Sequence, residues 1–346
     1  MEPTQDPIPA GADEQHAHLI ARQGDRVLAE AMIPLLQSTP EVTITPVGAD
    51  FPGAFLAHLP DQPNLRRPAI IVLGGSEGND WFATSMAPRL ASHGYAVLGL
   101  PYYAPVFGGP PNPKLAGLPA AFIDIPVDRL DKARDWLRKA PGVDGDHIAL
   151  YGISKGAEFV LIAASRMTWP SAVVALVPSD VVWEGWGDRS AKPGTRSSFS
   201  WHGAPLPFVP YDNIAAEMAK FGTHEKIRMR TPMDNGRAKH PASIAAARIP
   251  IEKFSGPLLI AGGNADNVWA SGPMTGYLEH TRHDAGLPTT ALVFDTAGHG
   301  LFGTGWSPES AMLTASFGGD VAANARAQAE TWRATLEFFA RNLPRP

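Results

Sequence analysis

The stretch His147-Ile148-Ala149-Leu150-Tyr151-Gly152-Ile153-Ser154-Lys155-Gly156 decides how this chain is read. His147 to Tyr151 is a short, largely apolar run suited to a buried strand, and the small apolar run Gly156 to Ser165 suits a buried helix. Between them, Gly152 to Gly156 has G-x-S-x-G spacing. That pattern arises by chance in a Gly-rich chain, and only the strand before it and the helix after it give it chemical meaning. A sharp strand-to-helix turn lifts the Ser154 hydroxyl off the sheet edge, while the flanking glycines allow close packing at a strained position. The bland alternative is a serine in an ordinary turn.

The pattern continues on both sides. Val42 to Val47 and Gly53 to Leu59 read as two early strands, followed by Ala69 to Leu73, whose unbroken apolar character fits a central parallel strand. A helix is expected over about Phe82 to Ser92, a strand over Ala96 to Leu100, a helix over about Val127 to Ala140 and a strand over Ala172 to Leu176. Residues 179–255 break the alternation: strand signals are few and aromatics many, including Trp183, Trp186, Phe199, Trp201, Phe208 and Tyr211. Strand–helix alternation resumes at Pro257 to Ala261, with a helix over about Gly272 to Asp284, a strand over Ala291 to Phe294 and a last helix over about Val321 to Asn342. Near the start, Leu19, Ile20, Val27, Leu28, Ala31, Met32, Leu35 and Leu36 are spaced as on one amphipathic helix within residues 13–37.

A mostly parallel sheet with helices on both faces follows, and its active site belongs at the carboxyl ends of the strands. A serine hydroxyl needs a base to take its proton and an acid to orient that base. Asp266, in the loop Gly262 to Trp269, and His299, in the loop Thr296 to Gly300, both follow expected strands. Their order after Ser154 (serine, acid, histidine) is that of the α/β-hydrolase fold. Taken singly, Asp266 reads as a turn former and His299 as an exposed loop residue; their joint placement points to a triad. The oxyanion of an acyl-transfer intermediate needs two N–H donors. Those of Lys155 and Ser76 are the expected pair, with Glu77 as the fallback in the loop Gly74 to Gly78. That loop lacks phosphate-cradle spacing. Tyr102, Tyr103 and Trp269 are expected near the rim of the substrate pocket, with plain packing an equal alternative. The expected organisation is an N-terminal arm and helix over 1–40, a hydrolase core over 41–178 and 256–346, and an inserted cap or lid over 179–255.

Composition narrows the function classes. With 44% hydrophobic and 18% charged residues in 346, a large core is expected; a net charge of −5 without a basic run argues against a nucleic-acid partner. No cysteine means no disulfide, thiolate ligand or thiol nucleophile, and no run of 18 apolar residues reads as a membrane span. His16 and His18 face different sides of an expected helix, and His280 and His283 read as a solvated helix surface, so neither a metal site nor a cofactor is expected. The polar start, Met1 to Glu14, has no signal-peptide core. It fits a cytoplasmic protein, or a periplasmic or secreted one whose leader has been removed. Oligomeric state is not legible.

From about Pro68 onward the chain resembles the C-terminal catalytic domain of the acyl-CoA thioesterase and bile-acid-CoA:amino acid N-acyltransferase family, α/β-hydrolases close to the dienelactone hydrolase-like enzymes. The segments that carry the resemblance are Ile71 to Gly78, Tyr151 to Glu158, Val177 to Trp183, Ile249 to Lys253, Asp266 to Trp269, Ala297 to His299 and Asn324 to Trp332. It implies Ser154 as nucleophile, Asp266 as acid and His299 as base. Members with cysteine at the nucleophile tend to be acyltransferases, so the serine implies hydrolysis. Two departures stand out: residues 1–66 are too short for the N-terminal β-sandwich of vertebrate members, and the paired acidic motif has become Ala265-Asp266. The reading is therefore a serine hydrolase acting on a small-molecule ester or thioester. The alternatives are an acyltransferase to an amine or alcohol, and a non-catalytic binding protein on the same fold.

Overall fold

The computed structural model describes residues 15–35, 38–78, 80–105, 112–188, 192–220, 225, 227–305 and 311–344. The strands are β1 (Gln15–Gln23), β2 (Arg26–Leu35), β3 (Thr43–Pro46), β4 (Phe55–His58), β5 (Arg67–Leu73), β6 (Ala96–Gly99), β7 (Ile125–Pro126), β8 (Val143–Ile153), β9 (Pro170–Leu176), β10 (Phe199–Trp201), β11 (Ala204–Pro205), β12 (Leu258–Gly263) and β13 (Thr289–Phe294). The helices are α1 (Trp81–Ala91), α2 (Arg129–Leu137), α3 (Lys155–Ala164), α4 (Ile214–Met218), α5 (Arg230–Lys239), α6 (Pro241–Ala247), α7 (Ser271–Asp284), α8 (Ala311–Phe317) and α9 (Val321–Asn342).

Eight strands form one sheet in the order β13-β12-β9-β8-β5-β6-β4-β3. All neighbours from β13 to β6 pair in parallel, and β4 runs antiparallel to both β6 and β3. Burial on both faces explains why the central strands are apolar throughout rather than alternating. In β5, Ile71 and Leu73 pack with Phe159 and Leu161 of α3 and Leu130 of α2 on one face. Ile70 and Val72 pack with Phe82 and Met86 of α1 and Phe338 and Phe339 of α9 on the other. Between β9 and β12 the chain leaves the sheet. There it forms β10 and β11, the helices α4 to α6 and a separate apolar cluster of Val181, Trp183, Val209, Tyr211 and Met233, joined by Trp269 from the loop after β12. Among the described residues no helix is long and apolar enough to cross a membrane.

The early segment corrects the sequence reading. Residues 15–35 form an antiparallel hairpin rather than a helix, with Gln23 opposite Arg26 and Leu19 opposite Ala31. Val27, Ala31 and Leu35, like Leu28 and Met32, are spaced by four, and four residues fit one helical turn and two strand repeats equally well. The deciding signal is Gly24-Asp25, a two-residue hairpin turn in which Gly24 adopts φ 59°. Leu36, counted in the same helix, and the polar start through Glu14 lie outside the described residues. Elsewhere β8 begins at Val143, earlier than its apolar run suggests, because Val143 and Asp144 pair with Arg67 and Pro68.

Arg282, on α7, is fully buried. It donates to Thr289 Oγ1 at 2.8 Å and to the carbonyls of Ile251, Phe254, Gly256 and Pro288. One guanidinium thus ties the return from the 179–255 segment, and the approach to β13, onto α7. Burial lowers its pKa to about 10, so it stays charged at neutral pH. Arg282→Met keeps the length but strands four carbonyls, and should lower the urea-unfolding free energy by about 3 kcal/mol. An unchanged denaturation midpoint would show that these bonds carry no net stability.

Candidate active site

Ser154 occupies the turn between β8 and α3 with φ 52° and ψ −120°, a backbone conformation strained for a side-chain-bearing residue. Close approach on both sides enforces the turn. A methyl group on Gly152 would lie 2.2 Å from the carbonyl oxygen of Gly156, and one on Gly156 would lie 2.2 Å from that of Gly74. The Ser154 N–H donates to Leu176 O at 2.9 Å, which anchors the turn to β9.

Three loops at the carboxyl ends of strands bring Ser154, His299 and Asp266 together. Ser154 Oγ lies 2.9 Å from His299 Nε2, and His299 Nδ1 lies 2.8 Å from Asp266 Oδ2. An Nδ1–H tautomer donates to the carboxylate and leaves Nε2 to accept from the serine. Asp266, fully buried, is saturated with donors: Val268 N and Trp269 N on Oδ1, and the Ser271 hydroxyl at 2.5 Å on Oδ2 beside the imidazole. Saturation of this kind explains how the Asp266 carboxyl sits in the core with no lysine or arginine paired to it among the described residues. The His299 loop is held from α9, where Asn324 Oδ1 accepts from Gly298 N at 2.9 Å and Gln328 Nε2 donates to Gly300 O at 2.8 Å. Trp269 packs edge-on to the His299 ring, with its indole N–H on Val177 O at 3.1 Å.

Among the described residues, the backbone N–H groups of Ser76 and Lys155 have no protein acceptor. That of Gly75 is taken by Glu77 Oε1 at 2.9 Å. The rim residues have tasks not visible in sequence. Tyr102 is buried with its hydroxyl donating to the carbonyls of Gly74 and Gly75 (2.8 and 3.1 Å), and so braces this loop from behind. Tyr103 is buried edge-on against Phe122.

The Lys155 side chain is also buried. Its ammonium contacts Glu158 Oε2 at 2.5 Å and Ser198 Oγ at 3.0 Å, and lies over the rings of Phe199, Phe122 and Trp186. Glu158 Oε1 accepts from Trp183 N at 3.0 Å. The first turn of α3 is thereby fastened to the 179–255 segment at two points. Burial pushes the Lys155 ammonium below its usual range and the Glu158 carboxyl above it, and the attraction between them opposes both shifts. The sequence reading missed Ser271, Glu158, Ser198 and the bracing role of Tyr102. Glu158 alone left a local signal, a charge inside an otherwise apolar helix.

The family model for the C-terminal domain described as BAAT / acyl-CoA thioester hydrolase matches residues 125–345. Peroxisomal succinyl-coenzyme A thioesterase of Mus musculus is 27% identical over 268 residues, 74% of this chain and 56% of that protein. Acyl-coenzyme A thioesterase 6 of Homo sapiens is 25% identical over 88% of this chain and 66% of its own length. Acyl-coenzyme A amino acid N-acyltransferase 2 of Rattus norvegicus is 26% identical over 80% and 60%. The chain thus spans roughly three fifths of the length of these relatives. Among solved structures, a candidate dienelactone hydrolase from Klebsiella pneumoniae superposes with TM-score 0.50 at 15% identity, covering 87% of this chain and 98% of that one. Porphyromonas gingivalis dipeptidyl peptidase 4 superposes with TM-score 0.50 at 16% identity, over 88% and 35%. At such identities these likenesses establish the α/β-hydrolase fold alone.

The buried pair makes a prediction that does not depend on function. Lys155→Met leaves Glu158 unpaired and should destabilise the protein by about 3–5 kcal/mol, whereas Lys155→Met with Glu158→Leu should recover most of that loss. Thermal melts of the three proteins measure it; a double variant as unstable as the single one would show that the aromatic cage, not the ion pair, sets the cost.

Proposed function

Because the chain belongs to the BAAT / acyl-CoA thioester hydrolase C-terminal family and is thus a hydrolase or acyltransferase of that family, we propose that it is a serine hydrolase that cleaves an ester or thioester through an acyl-enzyme. The observation that carries this reading is the unbroken relay from Ser154 Oγ through His299 to Asp266. In it, Ser154 attacks the acyl carbonyl while His299 Nε2 takes the serine proton, and Asp266 fixes the tautomer and stabilises the imidazolium. The Ser76 and Lys155 N–H groups receive the oxyanion, each donor worth about 3–4 kcal/mol at the transition state. His299 returns the proton to the leaving alkoxide or thiolate, and water, activated by the same imidazole, releases the acyl group. Residues 179–255 act as a cap selecting the acyl group, with Trp269 and Tyr103 beneath it. Activities named for the relatives, on succinyl- and other acyl-coenzyme A thioesters, make acyl-CoA the leading substrate class.

Ser154→Ala should reduce turnover of acyl-CoA and of short acyl p-nitrophenyl esters by at least about 10⁴-fold and abolish fluorophosphonate labelling. Full activity in that variant sinks the proposal. Product analysis in the presence of glycine, taurine and simple alcohols separates the two chemistries: free acid supports hydrolysis, while predominant conjugate makes the protein an acyltransferase.

A further inference from the structure

A carboxyl group lies folded against the loop that carries one oxyanion donor. Glu77 turns back so that Oε1 accepts the Gly75 N–H at 2.9 Å, and its own backbone N–H also serves the carboxyl. The fit is tight: a methyl group on Gly74 would lie 2.3 Å from Glu77 Oε1, and one on Gly75 would meet Glu77 Oε2 at 2.8 Å and Ser154 Cβ at 3.0 Å. Glu77 Oε2 and Ser154 Cβ therefore crowd the same side of Gly75. With the N–H groups of Gly75 and Glu77 committed, that of Ser76 is the one of the three with no acceptor among the described residues. Part of the Glu77 residue reaches the surface, but its carboxyl is the inner end, facing a cavity of about 10 Å³ bounded in part by Phe82, Leu100, Tyr102 and Tyr103.

We propose that Glu77 is the positioning residue of the oxyanion loop: its carboxyl gathers the Gly75 N–H so that the Ser76 N–H stays free beside Ser154, and only its neutral form suits the negative charge that develops there. The inference rests on the serine-hydrolase reading of the site. Its electrostatic half follows from what surrounds the group. Tyr102 and Tyr103 face it from the loop after β6, with Glu158 of α3 beyond Tyr102 and the Ser154–His299 pair on the same side of Gly75; among the described residues no lysine or arginine pairs with it. Burial holds both tyrosines neutral, with Tyr103 raised to about 12 and Tyr102 well above 10. Burial also raises the Glu77 carboxyl to about 7, with its two backbone hydrogen bonds resisting the shift. Its charge therefore changes within the working range, and an ionised Glu77 repels the oxyanion.

The test compares kcat and KM for p-nitrophenyl acetate between pH 5.5 and 9.5 in wild type, Glu77→Gln and Glu77→Ala. The wild-type kcat should fall about tenfold as the pH rises through about 7, on top of the limb that reports the general base. Glu77→Gln keeps an acceptor for Gly75 N–H but cannot ionise, so it loses the alkaline fall and recovers most of the activity that alanine destroys. Glu77→Ala should lose about 10–100-fold in kcat at every pH with little change in KM. An alkaline fall unchanged in Glu77→Gln, or a wild-type kcat in Glu77→Ala, overturns the proposal. A second readout needs no turnover. A carboxyl whose pKa is raised on folding contributes most to stability below about 4.5, and that contribution is lost as the pH rises through about 7. The melting temperature of Glu77→Gln should therefore gain a few degrees on wild type between pH 5 and 8. A constant difference across that range refutes the buried titration even if the protein hydrolyses no ester, whereas the Ser154→Ala comparison reports separately on the hydrolase reading.

Discussion

Backbone meets backbone where α3 leaves β8, and the site is arranged around that contact. Gly156 lies against the carbonyls of Leu73 and Gly74, and Gly152 against that of Gly156, at separations only glycine permits. The same contact drives Ser154 to positive φ, sets the Lys155 N–H at the start of the helix and brings the loop after β5 beside it. The strain is borne by elements buried on both faces of the sheet, so the turn cannot relax without opening the core.

Three buried charged groups complete the arrangement, each with its partners supplied. Asp266 has four donors, Glu158 has Lys155 and a backbone N–H, and Arg282 has four carbonyls and the Thr289 hydroxyl. Charges buried in this way are costly unless fully satisfied, and full satisfaction makes them specific. Lys155 links the two levels, since its backbone follows Ser154 at the turn while its side chain, caged by Phe122, Trp186 and Phe199, fastens the segment between β9 and β12 to the same helix.

Much of the fold was legible because buried parallel strands must be apolar throughout and their covering helices need stop signals; α9 falls on the span its periodicity implied. The hairpin was misread because apolar residues four apart satisfy both periods, and Gly24-Asp25 carried the answer in two residues. The site was legible as an order of residues: Ser154, Asp266 and His299 each follow a strand. Ser271 and the bracing role of Tyr102 left no trace, because a hydroxyl that steadies a carboxylate or braces a loop looks in sequence like any other serine or tyrosine.

By itself, the sequence determined the strand–helix alternation, the glycines that force the turn and the chain order of serine, acid and histidine, since these follow from local propensity and spacing. Only the tertiary structure decided which groups share a hydrogen bond. The pairing of His299 with Ser154 spans 145 residues, and the bond from the Tyr102 hydroxyl to the Gly74 carbonyl spans 28, between the loops that follow the paired strands β5 and β6. Distances between loops are set by sheet register and core packing, which no local stretch of sequence contains.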